Sequence, residues 1–407
     1  MKTVKRILSL SLVLCLVFNI CIFASATNDT KVDPIILVHG MTGWGENDAG
    51  KHDYPYWGYS NDNDILKMLR DKGYVAYAPT VGPFSSAWDR ACELFAQLCG
   101  TVVDYGEAHS KRCGHSRYGR DYTGRGFLEK DWYENGRINI VSHSFGGPAS
   151  IVFISLLTNG SEEEKKSADC SPLFEGGHSN AVYSLTTLES PSNGSPIANV
   201  MNDTYIMLWL ISFVMNVSGM SSTPKLDFMV DQFGLTVDPA TGNKAKFNPI
   251  GIAKLANSKD HCAYDMSLQN ARKICETYGP SASTYYFSVT ANQMEKNEIG
   301  MVVPTAENAM LKIAGAAIGA MAGLKIKGIK TDKDWAYNDG MVPVPSALYP
   351  YGHPHEDYSG TDVTNIKTGV WYVTPVNQGN HGYGIAGKSV EAFWPEYLER
   401  MENLANK

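Results

Sequence analysis

The sequence has no block of clustered Lys or Arg, no Cys-x-x-Cys pair, no internal repeat and no long low-complexity linker. With 35 basic against 42 acidic side chains, the formal net charge is −7. A mild acidic excess without a basic stripe gives no footing for nucleic acid. Eight cysteines in 407 residues are too sparse for a disulfide scaffold. Beyond the N-terminus no apolar run is long enough to span a bilayer. What is present is an ordinary globular balance, 43% hydrophobic and 19% charged.

The first 26 residues read as a secretory leader. Lys2, Lys5 and Arg6 form a positive start, residues 7–23 are largely apolar, and Ala24-Ser25-Ala26 is a small-residue cleavage site. A membrane anchor is the alternative, but no stop-transfer charges follow. The expectation is a secreted protein with one domain over residues 27–407. Cys15 and Cys21 would leave with the leader. Cys92, Cys99, Cys113, Cys170, Cys262 and Cys275 remain, an even number that permits disulfides or buried thiols. Cys92 and Cys99 lie seven apart on an expected helix, about two turns and too far for a direct bridge.

Four short β-rich runs, residues 34–38, 137–141, 182–188 and 285–289, are separated by helical stretches such as 63–72 and 149–157. Buried parallel strands with crossover helices have this pattern. The fold class is therefore α/β, a mostly parallel central sheet with helices on both faces. Two stretches exceed a minimal core. Residues 88–131, rich in His, Tyr, Arg and Gly, look like an insertion. Residues 193–219 contain a run, 206–215, that is apolar nearly all round. Such a helix is either buried or made to be exposed on occasion, and we read it as a lid.

Ser142-His143-Ser144-Phe145-Gly146-Gly147 lies between an expected strand and an expected helix. That context makes it a nucleophile elbow, although Ser142 stands where the common pattern has Gly. Leu37-Val38-His39-Gly40-Met41-Thr42-Gly43 is a strand running into a glycine-spaced loop, which can present backbone N–H groups to an oxyanion. The expected donors are Met41 and Phe145, with His39 structural. In the order serine, acid, histidine, the downstream candidates are Asp339, in Asn338-Asp339-Gly340, and His381, in Asn380-His381-Gly382. Asp332, Asp334 and Asp357 are rival acids; His353 and His355 are rival bases.

His39-Gly40-Met41-Thr42-Gly43-Trp44-Gly45, Trp88-Asp89-Arg90-Ala91-Cys92-Glu93, Leu173-Phe174-Glu175-Gly176-Gly177-His178, Tyr264-Asp265-Met266-Ser267 and Asn338-Asp339-Gly340 together resemble the large zinc-containing lipases of thermophilic Bacillus-type and staphylococcal bacteria. The resemblance covers most of the chain after the leader. It implies an α/β-hydrolase fold with a helical lid, cleavage of acylglycerols and simpler esters, and a Ser144, Asp339, His381 triad. It maps the oxyanion donors to Met41 and Phe145, where those lipases carry Phe and Gln. It also implies a structural zinc ion held by Asp89, His109, His115 and Asp231. Two imidazoles and two carboxylates suit a closed four-coordinate site; Cys113 is a softer rival ligand. The family's calcium site is expected to be absent, because residues 382–387 carry no carboxylate. The expected partners are an ester or lipid substrate and, transiently, hydrophobic surfaces, with solid polyesters as an extension of that expectation, without a stable membrane span. An acyltransferase or an inactive secreted binding protein are the rival readings.

Overall fold

The computed structural model describes residues 32–47, 52–203, 229, 231–233 and 249–407. The leader and the apolar run at 206–215, expected as the lid, lie outside these residues. The four expected strands form where the pattern placed them: β1 (Ile35–Val38), β3 (Ile138–His143), β4 (Val182–Leu188) and β5 (Tyr285–Val289). They are joined by β2 (Ala76–Tyr77), β6 (His355–Asp357) and β7 (Trp371–Val373) in a seven-stranded sheet ordered β6-β7-β5-β4-β3-β1-β2. Every pairing in it is parallel.

Alternation of side chains along each strand divides the core into two layers. Ile36, Val38, Ile138, Ile140, Leu185 and Tyr286 pack on one face. Ile35, Leu37, Val141, Leu188 and Phe287 pack on the other, under Trp394 and Tyr397 of the C-terminal helix. Helix α1 (Ile65–Asp71) buries Ile65, Leu66 and Leu69 and is capped by Asp64, whose carboxylate accepts from the Lys67 N–H.

Helix α2 (Ala87–Cys99) corrects the expected insertion at 88–131. All but one of its residues are buried, and it lies in the first core layer against α4 (Gly146–Asn159). The excursion begins only after Cys99. It consists of an antiparallel ribbon, residues 102–104 against 118–121, and helix α3 (Glu107–Cys113). Helix α4 follows the serine motif directly, touches α5 (Leu268–Thr277), and is buried from Gly146 to Leu157, which explains its lack of a polar stripe. Pro148 sits in its first turn, where no intrahelical N–H is lost. All six described cysteines are unpaired thiols. Among the described residues, no helix is long and apolar enough to cross a membrane.

Candidate active site

The chain brings Ser144, Asp339 and His381 together from three connections at the carboxyl edge of the sheet. Ser144 is the first of the two residues between β3 and the start of α4, at φ +53. A non-glycine residue in that left-handed region is strained, and the contacts around it hold it there. Its N–H donates to the Leu188 carbonyl at 2.8 Å. A side chain at position 146 would lie 2.3 Å from the Val38 carbonyl oxygen, so α4 can cross β1 only with glycine there. His381 Nε2 stands 2.9 Å from Ser144 Oγ, and His381 Nδ1 lies 2.8 Å from Asp339 Oδ2. The other Asp339 oxygen accepts from the Met341 and Val342 N–H groups at 2.8 and 2.7 Å. The His381 N–H returns to the Asp339 carbonyl at 2.9 Å.

The rival acids and bases are elsewhere. Asp332 caps a short helix and accepts from the Asp334 N–H, and Asp357 is exposed on the edge strand β6. His353 bonds the Cys275 carbonyl, and His355 stacks on Tyr349.

The loop after β1 faces the serine. A Cβ on Gly40 would come within 2.7 Å of Ser144 Cβ, so the close approach requires glycine. The N–H groups of Met41 and Phe145, the expected oxyanion donors, have no protein acceptor among the described residues. Phe145 also heads α4, whose dipole places partial positive charge beside Ser144. Buried Arg90 clamps the same loop, donating from Nη2 to the His39 and Gly40 carbonyls at 3.0 and 2.8 Å. His39 is structural, as expected: its Nε2 accepts from the Val81 N–H at 3.1 Å. A chain of bonds then crosses the site. The Gly40 N–H donates to Tyr56 Oη (3.0 Å), Tyr56 Oη reaches His143 Nδ1 (2.6 Å), and His143 Nε2 reaches the His381 carbonyl (2.7 Å). Burial, and then the neighbouring His381, hold the His143 pKa well below its usual value. A neutral His143 with its proton on Nε2 satisfies both contacts.

A second cluster lies on the other side of α2. His109 Nε2 is 3.1 Å from Asp89 Oδ1 and 3.2 Å from Asp260 Oδ2. His115 Nε2 is 3.0 Å from Asp260 Oδ2 and 4.0 Å from Asp89 Oδ1. Four donors about 2.0 Å from a shared centre would stand about 3.3 Å apart in a tetrahedron, which fits these spacings. Cys113 Sγ lies 3.9 Å from His109 Nδ1, and His109, Cys113, His115 and Asp260 also gather closely enough to hold a metal. Burial alone would lower the His109 pKa, but Asp260 and Asp89 raise it well above its usual value. The protein alone must therefore protonate this pocket, where a dication would serve instead.

Asp231 does not join the cluster, contrary to the expectation. Its carboxylate pairs with Arg120, while its neighbour Gln232 turns inward and donates to Asp89 Oδ2 at 2.8 Å. Asp260, 151 residues from His109, takes the place expected for Asp231. Its only sequence signal was its position just before the Tyr264-Asp265-Met266-Ser267 block.

A family model described as "Lipase-like, C-terminal domain" matches residues 31–396. Lipase 1 of Staphylococcus aureus is 31% identical over 356 residues, covering 84% of this chain and 49% of the relative. The chain thus spans about half the length of the curated relatives it matches. Among solved structures, EstA from Clostridium botulinum aligns with a TM-score of 0.76 and 30% identity, covering 92% of this chain and 87% of that one. Staphylococcus hyicus lipase aligns with a TM-score of 0.78 and 27% identity, covering 92% and 97%.

Glu189 is a residue that sequence reasoning missed. It follows β4 with φ +46, is fully buried, and neither carboxyl oxygen has a hydrogen-bond partner among the described residues. Its Oε2 lies 3.9 Å from His143 Nε2. Burial, and then the charge of Asp339, push its pKa well above the ordinary 4.5. As pH rises, the unfolded chain therefore ionises this group first. Its contribution to stability is full below about 4.5 and is lost as pH rises toward the folded value, by about 1.4 kcal/mol per pH unit. Glu189→Gln keeps the shape without the titration. Its Tm should rise relative to wild type as pH goes from 5 to 7; parallel Tm curves would show that Glu189 ionises normally.

Proposed function

The chain belongs to the lipase-like family whose model spans residues 31–396, and on that premise we propose that it is a serine carboxylester hydrolase acting on acylglycerols and simpler esters. The observation that carries this reading is the hydrogen-bonded Ser144, His381, Asp339 arrangement, with the backbone N–H groups of Met41 and Phe145, next to Gly40 and Ser144 in the chain, unengaged among the described residues. Ser144 Oγ attacks the ester carbonyl carbon while His381 Nε2 takes the hydroxyl proton. Asp339 holds the imidazole in the required tautomer and stabilises the imidazolium. The carbonyl oxygen becomes an oxyanion and accepts from the Met41 and Phe145 N–H groups. Collapse breaks the bond to the leaving oxygen, which takes the proton from His381 and departs as the alcohol. Water then attacks the acyl-Ser144 ester, with His381 again the base, and releases the acid. The leader-like N-terminus supports secretion as part of this reading.

The cluster on α2 is assigned to structural zinc. His109, His115, Asp89 and Asp260 would fill all four positions, leaving none for a catalytic water. A dication there neutralises buried carboxylates and ties the excursion to residue 260; binding only the folded state adds to stability.

With p-nitrophenyl butyrate as substrate, Ser144→Ala should lose at least about 10³-fold in kcat and keep a residual rate from the oxyanion donors. Undiminished turnover would remove Ser144 from the mechanism. Elemental analysis of dialysed protein should find one zinc ion in wild type and in Asp231→Asn. Asp260→Asn should lose the ion and melt lower. Full zinc in Asp260→Asn, or zinc-free wild type with an unchanged Tm under chelator, would overturn the assignment.

A further inference from the structure

Helix α6 (Ala309–Met321) has the wrong polarity for a surface helix. Its buried face is Ala314, Gly315 and Ile318. Its exposed positions, 309, 310, 312, 313, 316, 317 and 320, are apolar apart from Lys312, and Met310 and Ile313 are 68% and 72% exposed. A water-facing helix normally places its polar residues there. The segments on either side extend the patch with Ile299, Met301 and Leu324, all exposed. Among the described residues this is the densest group of exposed large hydrophobic side chains. Contiguous apolar surface on a globular domain marks a contact site.

The patch is fixed beside the site described above. The Asn338 side-chain amide donates to the Gly315 carbonyl at 3.1 Å, and the Gln293 amide donates to the Leu311 carbonyl at 3.3 Å. A Cβ on Gly315 would lie 2.8 Å from Asn338 Oδ1, so the small residues of α6 let it press on the turn that carries Asp339.

Charge identifies the occupant. From residue 299 to 331, the span of the patch and the hairpin, there are four lysines, Lys312, Lys325, Lys327 and Lys330, against one acidic residue, Glu307, in a chain of net charge −7. All four are exposed. Lys325 and Lys330 are directly paired across a two-residue hairpin, which sets like charges opposite one another. That pairing is unfavourable in water and is relieved by an anionic surface. Apolar side chains flanked by lysines, whose stems lie along apolar matter while their heads stay hydrated, suit an anionic lipid interface.

We propose that the ridge formed by α6 and the Lys325–Lys330 hairpin is the face that seats this protein on an anionic lipid surface, beside its active site. The inference rests on the esterase reading only for what is done once seated. Seating itself is measured on Ser144→Ala protein, so the two can fail separately.

The experiment is co-sedimentation of the full chain with phosphatidylglycerol-containing or pure phosphatidylcholine vesicles, alongside p-nitrophenyl butyrate turnover in solution. The Ser144→Ala protein should partition onto anionic vesicles and fall off as salt is raised. Adding Lys325→Glu and Lys330→Glu should weaken partitioning by at least about 25-fold, about fivefold for each lysine lost. Adding Ile313→Ser should weaken it about tenfold. In a Ser144 background, the same substitutions should leave solution turnover within about twofold. The lysine pair is exposed, so its variant keeps the test valid if Ile313→Ser misfolds. Equal binding to neutral vesicles, or partitioning unchanged by the lysine reversals, would overturn the proposal. So would a dimer in sedimentation velocity that these substitutions disperse, which would assign the ridge to a second copy of the chain. Loss of solution turnover in wild type with vesicle binding intact would count against the esterase reading alone.

Discussion

The site depends on one tight backbone turn. Ser144 must leave β3 in a left-handed conformation so that α4 can begin at once and cross β1 over Gly146. Holding a non-glycine residue there costs on the order of 1–3 kcal/mol. The burial of α4 in the first core layer and of β3 in both offsets it. In return, the hydroxyl reaches His381, and the next residue, Phe145, caps the N-terminus of α4. Gly40 and Gly146 are glycines because any Cβ would strike Ser144 or Val38.

Helix α2 joins the two clusters. Asp89 turns to the histidines at the metal-binding pocket, and the next residue, Arg90, turns to the carbonyls of the loop bearing Met41. The helix is buried almost throughout, so neither side chain can move far without the other. An ion held in that pocket, as proposed, would thus have a route to the geometry of the loop bearing Met41. The Tyr56 and His143 chain makes a second tie, from Gly40 to the backbone of His381.

The sheet was legible because its signal is local. β4 and β5 match their apolar runs, and β1 and β3 differ from theirs by one or two residues at the ends. Ser144, Asp339 and His381 were legible because each sits in a short glycine-marked motif whose chain order is informative. What failed was non-local. Asp231 and Asp260 are both acids far along the chain from His109, and only packing shows that Gln232 turns inward while Asp231 pairs with Arg120. Residues 88–99 carry Trp, Asp, Arg and Glu, a surface-like composition, but in the fold those polar groups have buried partners. Glu189 had no motif at all: an unpartnered buried carboxyl is recognised only once its surroundings are known. The ridge on α6 carries no sequence motif, and only the exposure of its apolar side chains reveals it.

The central claim is that the strained serine is the nucleophile. Reaction of the full chain with a fluorophosphonate, followed by peptide mapping by mass spectrometry, tests it directly. The account requires one adduct per chain, on Ser144, because among the described residues that hydroxyl alone combines a hydrogen-bonded imidazole with neighbouring unengaged N–H groups. An adduct on a different residue with Ser144 unmodified would contradict it.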